Sequence, residues 1–301
     1  MNEAFVDVNG IMTKVTTFGR WIEESPGNTN EIVILLPGNP GINSFYKEFA
    51  KTLYEKTEIP VWCLSHAGHN FSDTGFVSFP NFKQNKALYG LKGQLAHKID
   101  FFRKYVPENT KVYLVGHSIG CYMCLEILEN EHVKNKVQET FLLFPTVEHM
   151  VDTRNGQFLN WFIRPIVPFV LLLCWIFTIL PSLISSFLLY VYAFMANIPR
   201  KTYEKDIRSF LKPGVLRRVF FLAFEEMDQV KERNDDVIRK NVENIRFYYG
   251  KADGWTPKVF FESLKKNVPS ASVELTDINH VFVFHHSVDV ANKVSDWVKR
   301  K

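Results

Sequence analysis

A five-residue turn constrains this chain more than any other feature. Gly116-His117-Ser118-Ile119-Gly120 follows the strand-like run Val112-Tyr113-Leu114-Val115 and precedes a helical pattern that reaches residue 129. A serine between two glycines, with a strand before it and a helix after it, is the pattern of a nucleophile elbow. The glycines leave room for a turn tight enough to lift the serine Oγ out of the sheet. The helix behind it aims a partly positive N-terminus at the point where an oxyanion would develop. The competing reading is a glycine turn with no chemistry.

A serine hydroxyl is a poor nucleophile at neutral pH and needs a base and an orienting acid. In the α/β-hydrolase arrangement both follow the serine in the chain, acid first and histidine last. Residues 245–249 read as a strand, and Asp253 sits in the loop just past it. A final strand at 272–276 ends at Asp277-Ile278-Asn279-His280, ahead of a helical pattern over 286–299. His280 is therefore the expected base and Asp253 the expected acid. Glu148, in the loop after the strand at 141–145, and Asp277 stay open as alternative acids. His285 and His286 fall at the start of the last helix and are expected to cap it or face solvent.

The oxyanion donors should be the backbone N–H of the residue after the nucleophile and one from the loop after the third strand. These are Ile119 and a residue of Leu35-Leu36-Pro37-Gly38-Asn39-Pro40-Gly41. Proline has no N–H, so Asn39 is the expected second donor. A plain Pro/Gly turn is the alternative for this loop.

The remaining pattern fits the same sheet. Strand-like runs at 4–8 and 12–18 flank Asn9-Gly10, a hairpin signal. A strand at 32–36, a helix at 45–54, a strand at 60–64 and an amphipathic helix at 84–106 follow. Strands alternating with helices of this size imply a mostly parallel sheet covered on both faces. We expect an α/β-hydrolase fold in which residues 1–150 and 231–301 form the core. Residues 151–230 would be a helical lid and apolar insertion.

That insertion is the second strong signal, because no charged residue occurs from Pro165 to Pro199. Pro181-Ser182 breaks it into two arms of about 16 residues, about 25 Å each as helix, whereas crossing a bilayer takes about 20 residues and about 30 Å. A hairpin that enters and leaves by one face suits those lengths. Arg154 and Arg164 before it, and Arg200, Lys201 and Lys205 after it, suit a monotopic insertion with both ends on the cytosolic side. A buried cap over the active site is the alternative. The stretches 157–163 and 215–227 are expected to be lid helices. With 27 phenylalanines in the chain, many near the insertion, apolar substrates are expected.

Other classes find little support. A net charge of +4 with dispersed basic residues gives no reason to expect nucleic-acid binding. The first residues lack a basic and then apolar leader, so secretion is not expected. Cys121 and Cys124 read as packing residues on the helix after Ser118. His66-Ala67-Gly68-His69 lacks nearby carboxylates and is a poor metal site. No metal or organic cofactor is expected.

Leu36-Pro37-Gly38-Asn39-Pro40-Gly41, Ser65-His66-Ala67-Gly68-His69, Gly116-His117-Ser118-Ile119-Gly120, Phe141-Leu142-Leu143-Phe144-Pro145-Thr146 and Tyr248-Tyr249-Gly250 with Asp253 together resemble the lipid droplet-associated hydrolase family. The resemblance covers almost the whole chain. It implies Ser118 as nucleophile, Asp253 as acid and His280 as base. It also implies residence on the lipid droplet monolayer and the cytosolic face of the endoplasmic reticulum, with neutral lipid esters such as sterol esters as substrates. Pro37 stands where the common oxyanion motif has histidine. Two functions fit: a serine esterase working through an acyl-enzyme, or a hydrolase-fold droplet protein whose role is organisational. A thioesterase or acyltransferase would use the same residues.

Overall fold

The computed structural model describes residues 1–25, 30–70 and 79–299. Its strands are β1 (Asn2–Val8), β2 (Ile11–Phe18), β3 (Glu31–Leu36), β4 (Val61–Leu64), β5 (Lys111–His117), β6 (Val137–Leu143), β7 (Ile245–Gly250) and β8 (Ser272–Thr276). They form one sheet in the order β1-β2-β4-β3-β5-β6-β7-β8. The first hairpin is antiparallel. Its turn residues Asn9 and Gly10 both have positive φ, the left-handed pair that a tight hairpin turn demands. β2 pairs antiparallel with β4, and every pairing from β4 to β8 is parallel.

The helices are α1 (Lys47–Thr57), α2 (Leu91–Tyr105), α3 (Ile119–Ile127), α4 (Glu131–Lys134), α5 (Arg154–Phe158) and α6 (Arg164–Ile179). Then come α7 (Ser182–Met195), α8 (Arg200–Phe210), α9 (Pro213–Gln229), α10 (Asp235–Lys240), α11 (Lys258–Asn267) and α12 (Ser287–Lys299). Parallel strands are buried on both faces, which explains why β3 is apolar at consecutive positions. Ile32, Ile34 and Leu36 pack with Phe101 of α2, Met123 of α3 and Leu264 of α11. Val33 and Leu35 point the other way, toward Phe49 of α1 and Trp297 of α12. The two cores carry β5 between them, so Ser118 emerges at the centre of the sheet's C-terminal edge.

Two expected boundaries shift. The helix expected over 84–106 begins at Leu91, preceded by one short turn at Lys86–Leu88. Gly90 is extended at φ −78° and ψ 176°, and the Leu91 N–H donates to the Glu225 carboxylate of α9 at 3.1 Å. The group that receives this helix end is 134 residues away, beyond the reach of local pattern.

The stretch 157–163 is not a separate lid helix. α5, a single π-type turn at Leu159–Ile163 and α6 form one continuous helix, Arg154–Ile179, which is 26 residues long. By length and composition it is apolar enough to cross a membrane. The second arm, α7, has only 14 residues. That is too short to return across a bilayer. The arms are not a buried cap: Leu183 is 82% exposed and Met195 80%, and Phe169, Leu172, Trp175, Phe187 and Leu188 also face outward. The side chains of Arg200 and Lys201, two of the expected flanking cations, lie outside the described residues.

Candidate active site

The turn after β5 is as tight as its glycines require. Ser118 has φ 54° and ψ −124°, outside both the helical and the extended regions, a strained backbone for a residue with a side chain. A Cβ on Gly116 would lie 2.8 Å from the Cys121 backbone, and one on Gly120 would collide with the Leu36 carbonyl. The turn is held by the Ser118 N–H donating to the Leu143 carbonyl at 3.0 Å.

Three residues from three loops meet at this turn. His280 Nε2 lies 3.0 Å from Ser118 Oγ, and His280 Nδ1 lies 2.7 Å from Asp253 Oδ2. A carboxylate accepts only, so Nδ1 carries the proton and Nε2 is free to accept from the serine hydroxyl. Asp253 is saturated: its carboxylate also accepts from the Trp255 N–H at 2.7 Å, the Thr256 N–H at 3.2 Å and the Thr256 hydroxyl at 2.7 Å. Burial alone would raise this carboxyl. The hydrogen bond and charge of His280, together with Thr256 and Trp255, outweigh burial and hold it below the usual carboxylate range.

The alternative acids are engaged elsewhere. Glu148 is buried against Arg233, and Asp277 is exposed and pairs with Lys251 at 3.0 Å. His285 hydrogen-bonds the Asn197 carbonyl, and His286 pairs with Asp289 at the start of α12. His66 and His69 lie buried beside each other, with ring centroids 5.5 Å apart, and His69 Nδ1 contacts the Pro40 carbonyl at 2.8 Å.

The loop after β3 presses on Ser118. A Cβ on Gly38 would stand 2.8 Å from the Ser118 Cβ, so only glycine fits there. The backbone amides of Asn39 and Ile119 have no hydrogen-bond acceptor among the described residues. Asn39 lines the cavity beside the serine, and Ile119 follows it as the first residue of α3. The Gly38 N–H is taken up differently, donating to the Tyr46 hydroxyl at 2.8 Å.

Behind the serine runs a chain of contacts that sequence reasoning missed. His117 Nε2 lies 3.0 Å from the His280 backbone carbonyl. A carbonyl can only accept, so that nitrogen bears the proton. His117 Nδ1 then accepts from the Tyr46 hydroxyl at 2.5 Å. Burial, with the neighbouring His280 adding to it, pushes His117 down to about 3, so it stays neutral. One neutral imidazole thus joins the loop after β3, the turn at Ser118 and the His280 loop.

A profile described as lipid-droplet associated hydrolase matches residues 29–283. The chain belongs to the lipid droplet-associated hydrolase family. The lipid droplet-associated hydrolase of Drosophila melanogaster is 38% identical over 305 residues, covering 100% of this chain and 99% of that protein. Those of Mus musculus and Homo sapiens are 34% and 33% identical, covering 100% and 99% of this chain and 96% and 95% of theirs. Among solved structures, a mutant of the meta-cleavage product hydrolase CumD matches with a TM-score of 0.64 at 16% identity, covering 100% of this chain and 98% of its own. An esterase from Thermogutta terrifontis matches with 0.62 at 13%, covering 100% and 99%. At such identities these two show the α/β-hydrolase fold alone.

In this member of the lipid droplet-associated hydrolases the serine opens into a cavity of about 340 Å³. Its walls are mostly apolar, with Leu159, Phe210, Val219, Phe220 and Phe284 among them. α9 supplies one wall and is tied to the apolar helix by Arg164, whose guanidinium grips Asp228 with two bonds of 2.8 Å and lies over the Phe224 ring at 5.0 Å. Cys121 and Cys124 are buried packing residues of α3. Among the described residues no group of three His, Cys, Asp or Glu is arranged to hold a metal.

Proposed function

We propose that the protein is a serine carboxylic-ester hydrolase that cleaves neutral lipid esters, sterol esters among them, at a lipid surface. The observation that carries this reading is the continuous line from Asp253 through His280 to Ser118, at 2.7 and 3.0 Å, opening into an apolar cavity. His280 Nε2 takes the Ser118 proton as Oγ attacks the ester carbonyl. The negative oxygen that forms lies between the Asn39 and Ile119 amides at the N-terminus of α3. His280 then gives its proton to the departing alcohol, leaving an acyl-enzyme. Water, activated by the same imidazole, releases the acid.

The lipid surface enters through residues 151–230, taken as a lid and an insertion. Their outward arms combine long apolar runs with wide exposure, and relatives carry the name lipid droplet-associated hydrolase. A monotopic hairpin in the droplet monolayer or the cytosolic leaflet of the endoplasmic reticulum suits arms of unequal length, only one of which is long enough to span. The test is fatty-acid release from emulsified sterol ester and triacylglycerol, comparing the native chain with Ser118→Ala. Release by the native chain alone is expected, and equal release by both would refute the reading.

A further inference from the structure

The acidic side chain nearest the oxyanion loop belongs to neither the triad nor its supports. Glu226, on α9, is buried and lines the same cavity as Ser118. Its Oε1 accepts from Asn39 Nδ2 at 2.9 Å, and the other hydrogen of that carboxamide goes to the Val219 carbonyl at 3.1 Å. Val219 and Glu226 are seven residues apart, about two helical turns, so the Asn39 side chain is pinned along one face of α9. Asn39 follows Gly38, which is wedged against Ser118, and precedes Pro40, which has no N–H. The carboxamide that α9 holds therefore belongs to the residue whose backbone amide is left to meet substrate.

We propose that Glu226 is a positioning residue: by fastening the Asn39 side chain to α9, it seats the Asn39 amide where the tetrahedral intermediate places its negative oxygen. This rests on the reading in which Ser118 attacks an ester.

Two observations indicate that Glu226 works as a neutral acid. Asn39 Oδ1 is buried with no donor among the described residues. A protonated carboxyl paired with a carboxamide has the O–H that this oxygen lacks. Among the described residues no counter-charge reaches the carboxyl either. On the elements around α9, Arg164 is taken by Asp228, Arg208 by Glu204 and His149 by Asp152, while Arg218 lies over Tyr89 and donates to the Gly68 carbonyl. Glu225 accepts from Leu91, and His117, His280 and Tyr46 across the cavity are bonded within their own network. Burial accordingly pushes Glu226 up to about 8, despite the Asn39 hydrogen bond. Ionised, it would orphan Asn39 Oδ1 and put a negative charge in the cavity where the oxyanion forms, so turnover falls as pH rises past that point.

The experiment measures kcat and KM on a short p-nitrophenyl ester, from neutral to alkaline pH, for the native chain, Glu226→Gln, Glu226→Leu, Asn39→Ala, the Asn39→Ala/Glu226→Leu double variant and Ser118→Ala. Glu226→Leu should lower kcat by about 10- to 100-fold, somewhat less than outright loss of an oxyanion donor, with KM nearly unchanged. Glu226→Gln, whose amide replaces both the carbonyl and the O–H of the neutral acid, should recover most of that rate and lose the alkaline fall. Because Glu226 acts through Asn39, the double variant should be no slower than Asn39→Ala. Additive losses, or an alkaline fall that Glu226→Gln leaves in place, overturn the proposal. If Glu226→Leu does not fold, the Glu226→Gln pH profile decides alone. Ser118→Ala separates the layers: residual activity in it refutes the serine reading itself, while its inactivity beside unaffected Glu226 variants refutes only the role of Glu226.

Discussion

The Tyr46 hydroxyl lies 2.5 Å from His117 Nδ1, and this contact makes the residue before Ser118 part of the site's scaffold. Because His117 must donate from Nε2 to the His280 carbonyl, Tyr46 must donate to Nδ1 and can then accept only from Gly38. Every proton in that chain has one direction.

Tyr46→Phe removes a donor and an acceptor at once and leaves two buried polar groups unmatched, His117 Nδ1 and the Gly38 N–H. At about 1–3 kcal/mol for each unsatisfied group, we expect a loss of about 2–6 kcal/mol in unfolding free energy, with slower turnover as the three loops loosen. Urea denaturation monitored by fluorescence measures it. An unchanged midpoint would show that the chain of contacts holds nothing together.

Asp253 and Glu148 separate cleanly by substitution. Asp253→Asn can present an N–H to His280 Nδ1 and so favours the wrong tautomer. A kcat loss of about 10³- to 10⁴-fold is expected. Arg233 retains Asp235 as a partner when Glu148 is changed. Glu148→Gln should therefore keep near-native turnover while losing about 2 kcal/mol of stability. The opposite pattern of kcat losses would transfer the acid role to Glu148.

The depressed Asp253 carboxyl also sets a pH signature. A folded value below the unfolded one stabilises the fold above the unfolded value, about 3.9 for aspartate, and the contribution is lost as pH falls through the lower, folded value. The stability gap between native and Asp253→Asn chains is therefore constant near neutrality and closes only below about pH 4. Denaturation at a series of acidic pH values measures it, and a gap that widens on acidification contradicts the assignment of charge.

Much of this was legible in the sequence, and the line between legible and hidden follows sequence separation. Ser118, Asp253 and His280 each sit at a strand end that local pattern marks, so chain order brings these three forward as candidates without any contact being known, and the structure places them within hydrogen-bond distance. Thr256 was within reach too, since an Asp followed three residues later by Thr is a local capping pattern. Tyr46, His117 and Glu226 were not, because their partners lie 71, 163 and 187 residues away and become visible only once the loops pack. The same limit hid the start of α2, whose first amide bonds Glu225. The merging of 157–163 into the apolar helix is local instead, one π-type turn standing where a break was expected.

Leu172 and Leu188 stand one in each apolar arm, both about half exposed. An arginine at each would cost about 2.5–3.5 kcal/mol per residue deep in an acyl layer. The double substitution should shift the protein from floating droplets to the soluble fraction while hydrolysis of a short, water-soluble ester continues. Retention on droplets would move the lipid contact to Phe158, Trp161 and Phe162, which are also exposed.

Whether Ser118 is an activated nucleophile is decided by a fluorophosphonate probe, because only a serine with a working base reacts with it quickly. One labelled site at Ser118 is expected in the native chain, with strong loss of labelling in His280→Ala and none in Ser118→Ala. Labelling that persists in Ser118→Ala, or a native chain that does not react at all, would contradict an activated Ser118.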